Sequence, residues 1–180
     1  MNIEKYICAG LLLLSSLAAF SGNLPNVTIS DGHAYVTTPS GKRQIISLKN
    51  CEDGLDVKFI DLNFDGYSDL MMLRDGGANQ KFYDVYLYSK ERDAYVFNKR
   101  LSEIPCLDVD ARSKQLAGRC FHESACENWE EYYSVSKSGR ISLVERKGTY
   151  CDPVGGQGYS YVDRFRNGKR ISSNSSTLGN

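Results

Sequence analysis

The sequence predicts an all-β protein, an antiparallel meander of hairpins stapled by disulfides. Tyrosine, phenylalanine and glycine are frequent, at 12, 7 and 16 of 180 residues, which favours strands and tight turns. Turn signals recur at short spacing between β-branched and aromatic runs, and no stretch shows helix-period amphipathicity. The alternative is a small α+β fold with one helix near residues 100–105 or 121–131.

Six strand pairs account for most of the chain. Asn167-Gly168 is the strongest of their turn signals, because this dipeptide favours a two-residue hairpin turn. The predicted pairs are 34–38 with 44–48, 57–61 with 69–73, 82–88 with 94–97, 106–109 with 115–120, 129–136 with 141–145, and 159–165 with 169–172.

Residues 1–21 have the pattern of a secretory signal peptide. Lys5 precedes an apolar run that continues to Phe20, and the small residues Ala19 and Ser21 precede a cut before Gly22. A membrane anchor is the alternative, but the run is short for a span and a cleavage site follows it. We expect an exported protein, periplasmic or secreted, with a calcium-loop domain at 22–151 and a C-terminal hairpin with a flexible tail at 152–180.

Export makes the cysteines disulfide candidates. A two-residue turn at 138–139 places Cys126 opposite Cys151, provided that no bulge intervenes. If Val109 lies opposite Gln115, Cys106 and Cys120 are on one face and near enough to bridge. The predicted bonds are Cys126–Cys151 and Cys106–Cys120, which leaves Cys51 as a free thiol or an intermolecular partner. A zinc site is not expected, because no C-x-x-C pair occurs and His33 and His122 are far apart.

Residues 61–69 carry the most specific chemistry. Oxygen-bearing side chains stand at loop positions 1, 3, 5 and 9, and Gly66 at position 6 permits a sharp reversal. The predicted calcium ligands are the side chains of Asp61, Asn63, Asp65 and Asp69 and the carbonyl of Tyr67. An EF-hand is excluded because position 12 is Met72 and strands flank the loop. Calcium in the periplasm or outside the cell is usually plentiful, so the ion is expected to be structural and not a signal. The alternative is an Asp/Asn/Gly-rich turn that binds nothing.

This loop resembles the calcium loop of FG-GAP/VCBS-like β-proteins. The similarity covers roughly residues 57–147 and extends to a group of small exported bacterial proteins with one such loop. Its motifs are Asp61 to Leu70, Asp75 to Asn79, Phe82 to Tyr88, Tyr95 to Lys99, Ser102 to Pro105, Glu131 to Tyr133, and Leu143 to Arg146.

Some members of this group are periplasmic lysozyme inhibitors, so the resemblance implies a calcium-binding, incomplete β-propeller-like fold and inhibition of a peptidoglycan-cleaving enzyme. A sandwich is the other architecture that the strand pattern permits. The four cysteines at 106, 120, 126 and 151 are not part of the family signature. The Ser-Gly-x-x-Tyr segment of another set of periplasmic lysozyme inhibitors is absent, so no inhibitory loop is transferred.

Charge and motifs exclude other function classes. Lys and Arg number 22 and Asp and Glu number 22, whereas nucleic-acid binders normally carry a basic face. His122 beside Cys120 and Cys126 suggests a Cys/His pair, but an oxidised cysteine is no nucleophile. No phosphate loop, G-x-S-x-G or H-E-x-x-H motif occurs, so we do not expect an enzyme.

A protein-binding function fits better. The target is expected to be a lysozyme-type enzyme or a rival's secreted cell-wall toxin, in which case the chain is an immunity protein. The alternative is a calcium-stabilised structural or adhesion module, which a single loop without internal repeats disfavours.

Three segments, 75–81, 121–131 and 154–161, are candidate contact surfaces, and solvated loops are the alternative for each. The acidic residues Glu123, Glu127 and Glu130 suit a basic muramidase. The predicted partner-binding residues are Asp75, Asn79, Lys81, His122, Glu123 and Trp129.

Overall fold

The computed structural model describes residues 25–48, 56–77 and 79–179, and these form three antiparallel sheets that follow one another along the chain. Each sheet is a meander in which strands consecutive in sequence pair with each other. The predicted signal peptide at 1–21 and Cys51 lie outside the described residues.

Sheet I contains β1 (Asn26–Ser30), β2 (His33–Thr37) and β3 (Arg43–Ser47). Sheet II contains β4 (Val57–Ile60), β5 (Asp69–Gly76), β6 (Lys81–Ser89) and β7 (Ala94–Phe97). Sheet III contains β8 (Leu107–Asp110), β9 (Gln115–His122), β10 (Asn128–Val135), β11 (Ile141–Cys151), β12 (Gly158–Arg166) and β13 (Lys169–Thr177).

The all-β prediction is confirmed. In the described part of the chain the one α-helix, α1 (Lys99–Ser102), is a single turn between sheets II and III. Asn98 caps it by accepting a hydrogen bond from the Leu101 N–H. Of the two helix positions in the α+β alternative, the one near 100–105 is occupied by this single turn, which leaves the fold all-β, and residues 121–131 belong to β9, β10 and the turn between them.

Sheet II is covered on both faces. In its strand β5, Leu70 and Met72 belong to a buried cluster shared with sheet I, and Met71 belongs to one shared with sheet III. Side chains alternate along a strand, so only a strand in the middle layer shows this continuous burial. The sheet I side also contains Ala34, Val36, Ile46, Tyr88 and Tyr95, and the sheet III side contains Leu62, Tyr83, Val85, Leu87, Leu101, Ile104, Leu107, Leu116, Tyr133 and Ile141.

The C-terminal hairpin is longer than the sequence predicts. Asn167 and Gly168 both have positive φ, 51° and 73°, as the predicted two-residue turn requires. However, β13 continues to Thr177 in register with β12, so the polar segment up to Thr177 belongs to a strand. Backbone pairing orders this polar segment, assisted by the Ser160–Ser176 hydroxyl contact of 2.9 Å. The hairpin extends sheet III, because β12 pairs with β11.

The Cys126–Cys151 disulfide is present, although the turn predicted for it is wrong. The turn contains three residues, since the Ser136 N–H bonds the Arg140 carbonyl at 2.9 Å. A register shift between Tyr132 and Tyr133 then moves the pairing by one position. The bulge compensates for the longer turn and brings the two cysteines opposite each other, with Cα atoms 5.8 Å apart.

The Cys106–Cys120 disulfide also forms despite a wrong register. Val109 pairs with Leu116 and not with Gln115, which by alternation alone misaligns the two cysteines. Cys106 precedes β8 and has a φ of 46°, so the chain reverses its side-chain direction there. The Cα atoms are 5.5 Å apart, within the normal range for a disulfide.

These two bonds indicate that the protein folds in an oxidising, non-cytoplasmic compartment. Within the described ranges, no helix has the length and hydrophobicity that a membrane crossing requires.

We expect reduction of both disulfides to destabilise the protein by several kcal/mol, since each bond in a loop of this size contributes about 3 kcal/mol by restricting the unfolded chain. Urea unfolding with and without dithiothreitol measures the difference. In the Cys126→Ala/Cys151→Ala variant, dithiothreitol should lower the free energy of unfolding by about half as much as in the unmodified protein, because one of the two disulfides is already absent. A reduced protein with an unchanged urea midpoint would contradict this expectation.

Candidate functional site

Loop 61–68 joins β4 to β5 and is organised by its own carboxylates. Asp61 accepts the N–H of Asp65 at 3.1 Å and of Gly66 at 2.9 Å, one on each oxygen. Gly66 has a φ of 93°, which glycine adopts without strain. The reversal predicted at this glycine is therefore present, and the first carboxylate of the loop holds it in place.

Asn63 and Asp65 connect the loop to sheet III. The Asn63 amide donates to the Asp65 carboxylate at 3.0 Å and to the backbone carbonyl of Lys137 at 2.8 Å. Asp65 in turn accepts the Tyr67 N–H at 2.9 Å. Since Lys137 lies in the β10–β11 turn, the loop is fixed to a segment more than seventy residues further along the chain.

Asp69 has a structural role that the sequence does not predict. Its side chain is fully buried, and its two oxygens accept the N–H of Leu62 at 2.8 Å and of Tyr88 at 2.9 Å. Burial raises the pKa of Asp69 to about 7, and the nearby charges of Asp65 and Asp61 add to this, while the two N–H donors act in the opposite direction.

The donor chemistry of the loop fits a calcium ion. The predicted ligands Asp61, Asn63, Asp65, Tyr67 and Asp69 offer only oxygen atoms, which calcium prefers. Within the described residues, no three carboxylate, imidazole or thiolate side chains form a preformed metal cage. The side-chain oxygens of Asp61, Asn63 and Asp65 instead accept N–H groups of the same short segment, which keeps them close together.

In metal-free buffer, we expect the free energy of unfolding to fall as pH rises from about 4 to about 7. The pKa of Asp69 is raised to about 7 in the folded protein, against about 3.9 in an unfolded chain. Between these values the folded state binds more protons, so its stability decreases with pH and levels off above the folded pKa. Urea unfolding at a series of pH values measures the slope, and Asp69→Asn should flatten it. Identical slopes in the two proteins would argue against this assignment.

The structure brings two of the three predicted contact segments together. The β5–β6 turn, with Asn79 in it and with Asp75 and Lys81 in the strands on either side, lies beside the end of β9. Gln80, which no sequence signal identifies, donates from its amide to the Cys120 carbonyl at 2.8 Å and lies 3.5 Å from His122 Nδ1. We call residues 75–81 with 120–129 the tip surface. Its outer side chains, Asp75, Asn79, Lys81, His122 and Glu123, are exposed.

Trp129 adds an aromatic group to the tip surface. Its ring stacks on that of Phe121 with centroids 5.5 Å apart and an angle of 11° between the planes. Gly148 lies opposite Trp129 on β11, and a Cβ atom at this position would be only 2.6 Å from the Trp129 Cβ. The absence of a side chain at Gly148 therefore leaves the space that Trp129 occupies. Tyr161, from the third predicted segment, pairs with Gly148 and thus lies two strands from Trp129.

The acidic residues of this region are not equivalent. Glu123 is exposed, whereas Glu130 lies between Arg119 at 3.5 Å and Lys147 at 3.4 Å. The charge of Glu130 is therefore compensated within sheet III, whereas the side chain of Glu123 faces solvent. Sequence spacing alone does not separate the two roles.

Comparison with models of known protein families, with curated proteins and with solved structures gives no match for this chain.

Proposed function

We propose that this chain is a periplasmic, calcium-stabilised protein-binding module that inhibits a peptidoglycan-cleaving enzyme, either a lysozyme-type enzyme or a rival's secreted cell-wall toxin. The observation that carries the proposal is the tip surface, where two segments distant in sequence form one platform of exposed polar side chains beside the half-buried Phe121–Trp129 pair.

Rigidity of this platform favours binding. The Cys106–Cys120 bond joins β9 to the start of β8, and the Cys106 N–H bonds the Lys81 carbonyl at 2.7 Å. The Cys126–Cys151 bond holds the 123–127 turn against the end of β11. A surface that is ordered before binding loses less conformational entropy when a partner docks, so more of the contact energy appears as affinity.

The test is inhibition of purified lysozymes and cell-wall amidases in a turbidity assay on bacterial cell walls. We expect His122→Ala/Glu123→Lys to weaken inhibition of the target enzyme by about tenfold or more, because it removes exposed contacts and reverses one charge. Glu91→Lys, an exposed charge reversal on the β6–β7 turn, is the matched control and should inhibit normally. If no peptidoglycan-cleaving enzyme is inhibited or retained in a pull-down, the inhibitor function is wrong.

Calcium is proposed to stabilise loop 61–69. At a calcium concentration of 100 times its Kd, we expect the melting temperature to rise by about 5–10 °C relative to EDTA. Asp65→Ala should abolish this difference, because it removes a proposed ligand that is only half-buried. Differential scanning fluorimetry measures both, with Asp75→Ala as the control that should keep the full calcium effect. Equal melting temperatures of the unmodified protein in calcium and in EDTA would exclude the site.

A further inference from the structure

We propose that the protein has a second binding surface, at the end of sheet II opposite the tip surface, for an acidic segment of a partner protein that also carries aromatic or aliphatic side chains. Strand β5 separates the two surfaces, since loop 61–68 precedes it and the β5–β6 turn follows it. The proposal goes beyond the inhibitor function and does not depend on it.

The surface is a cleft of about 880 Å³ between loop 61–68, the β6–β7 hairpin and the β10–β11 turn. Asn63 and Asp65 form one wall, and Lys137 and Ser138 contribute from sheet III. The hydrogen bond from Asn63 to the Lys137 carbonyl joins these two walls. The cleft is therefore built from elements whose relative positions are fixed.

Its rim is cationic. Lys90, Arg92 and Lys137 line the cleft and are exposed, and none of the three forms an ion pair with a carboxylate of the described residues. The two acidic residues of the lining are Asp65, whose oxygens accept hydrogen bonds within the loop, and Glu91, which accepts one from Ser89. Three cations against two carboxylates leave the lining with a net positive charge, which favours an anionic occupant.

Its other wall is apolar and exposed to solvent. This wall is the edge strand β7, whose residues Val96 and Phe97 point to opposite faces of sheet II and are 36% and 48% exposed. The centroid of the Phe97 ring lies 5.4 Å from that of Tyr86. Large apolar side chains this exposed beside a cleft are typical of binding surfaces. An occupant that satisfies both walls carries carboxylates and apolar side chains together, which describes an acidic protein segment better than a polysaccharide or a nucleic acid.

The test uses fluorescence anisotropy with a labelled random copolymer of glutamate and tyrosine as the probe. We expect the copolymer to bind the unmodified protein, and poly-glutamate of equal length and dextran sulfate to bind at least about fivefold more weakly, because neither occupies the apolar wall. Lys90→Glu/Lys137→Glu should weaken copolymer binding by about tenfold or more. Phe97→Ser should reduce the preference for the copolymer over poly-glutamate.

The matched control is Arg112→Glu/Lys169→Glu, which makes the same change in net charge at exposed positions outside the cleft and should bind like the unmodified protein. Unchanged thermal unfolding confirms that each variant is folded. The proposal is overturned if the copolymer does not bind, if the control variant loses as much affinity as the cleft variant, or if poly-glutamate or dextran sulfate binds as tightly as the copolymer. No hydrolase enters this assay, so its failure leaves the inhibitor function untouched, and the cleft variant should still inhibit the target enzyme.

Discussion

Replacing Glu131 by alanine should lower the free energy of unfolding by about 2–4 kcal/mol. Glu131 is 7% exposed and accepts hydrogen bonds from Arg146 at 2.6 and 2.8 Å, from the Trp129 indole at 3.3 Å and from the Tyr133 hydroxyl. Its removal leaves the buried Tyr133 hydroxyl and the Arg146 guanidinium without their acceptor. We expect a smaller loss than the roughly 5 kcal/mol that breaking a fully buried ion pair can cost, because the Arg146 side chain is 38% exposed and stays in contact with solvent.

Urea unfolding of Glu131→Ala measures this loss. The neighbouring residue supplies the control, since Glu130 points to the opposite face and contacts cations that are about 40% or more exposed. Glu130→Ala should therefore cost about 1 kcal/mol or less. Equal losses of unfolding free energy in the two variants would show that the buried contacts of Glu131 contribute no more than an exposed ion pair.

Replacing Leu62 by alanine should lower the free energy of unfolding by about 2–5 kcal/mol. Leu62 lies in the proposed calcium loop but is 0% exposed, because its side chain enters the core between sheets II and III. Its N–H is also held by buried Asp69 at 2.8 Å, so the backbone cannot move to fill the cavity without losing that bond.

The same urea experiment in EDTA separates this packing effect from any metal. Leu178→Ala is the control, since Leu178 is 41% exposed and should change stability by less than about 1 kcal/mol. A Leu62→Ala protein as stable as the unmodified one would mean that the loop is not anchored in the core. If calcium binds this loop, Leu62→Ala should also weaken its stabilising effect, because the Leu62 side chain holds the loop in place.

Short sequence patterns predict the features whose structure depends only on residues close together in the chain. Period-two alternation and turn dipeptides such as Asn167-Gly168 identify the hairpins, because strand and turn preferences are set within a few residues. The reversal at Gly66 and the carboxylates around it are predicted for the same reason. Disulfide partners also follow from hairpin proximity, since Cys106 and Cys120 are only 14 residues apart and flank one turn.

Register within a hairpin is less predictable. The turn before β11 has one residue more than the sequence indicates, and a bulge at Tyr132 compensates for it. Such bulges are set by the packing of the strand on the layer beneath, which no local dipeptide encodes. The ordered strand from residue 172 to Thr177 is a similar case, because pairing with β12 and not its own composition orders it.

The sequence by itself therefore determines the all-β meander, the disulfide partners and the oxygen-rich loop. Only the tertiary structure decided that Asp69 is buried against Leu62 and Tyr88, that Gln80 joins the β5–β6 turn to β9, and that Lys137 closes the cleft beside the loop. The Asp69 contacts join β5 to loop 61–68 and to β6, and the other two join a loop of sheet II to a segment of sheet III. Their existence depends on how the three sheets stack, and stacking is governed by the sum of buried surfaces across layers and not by any short pattern along the chain.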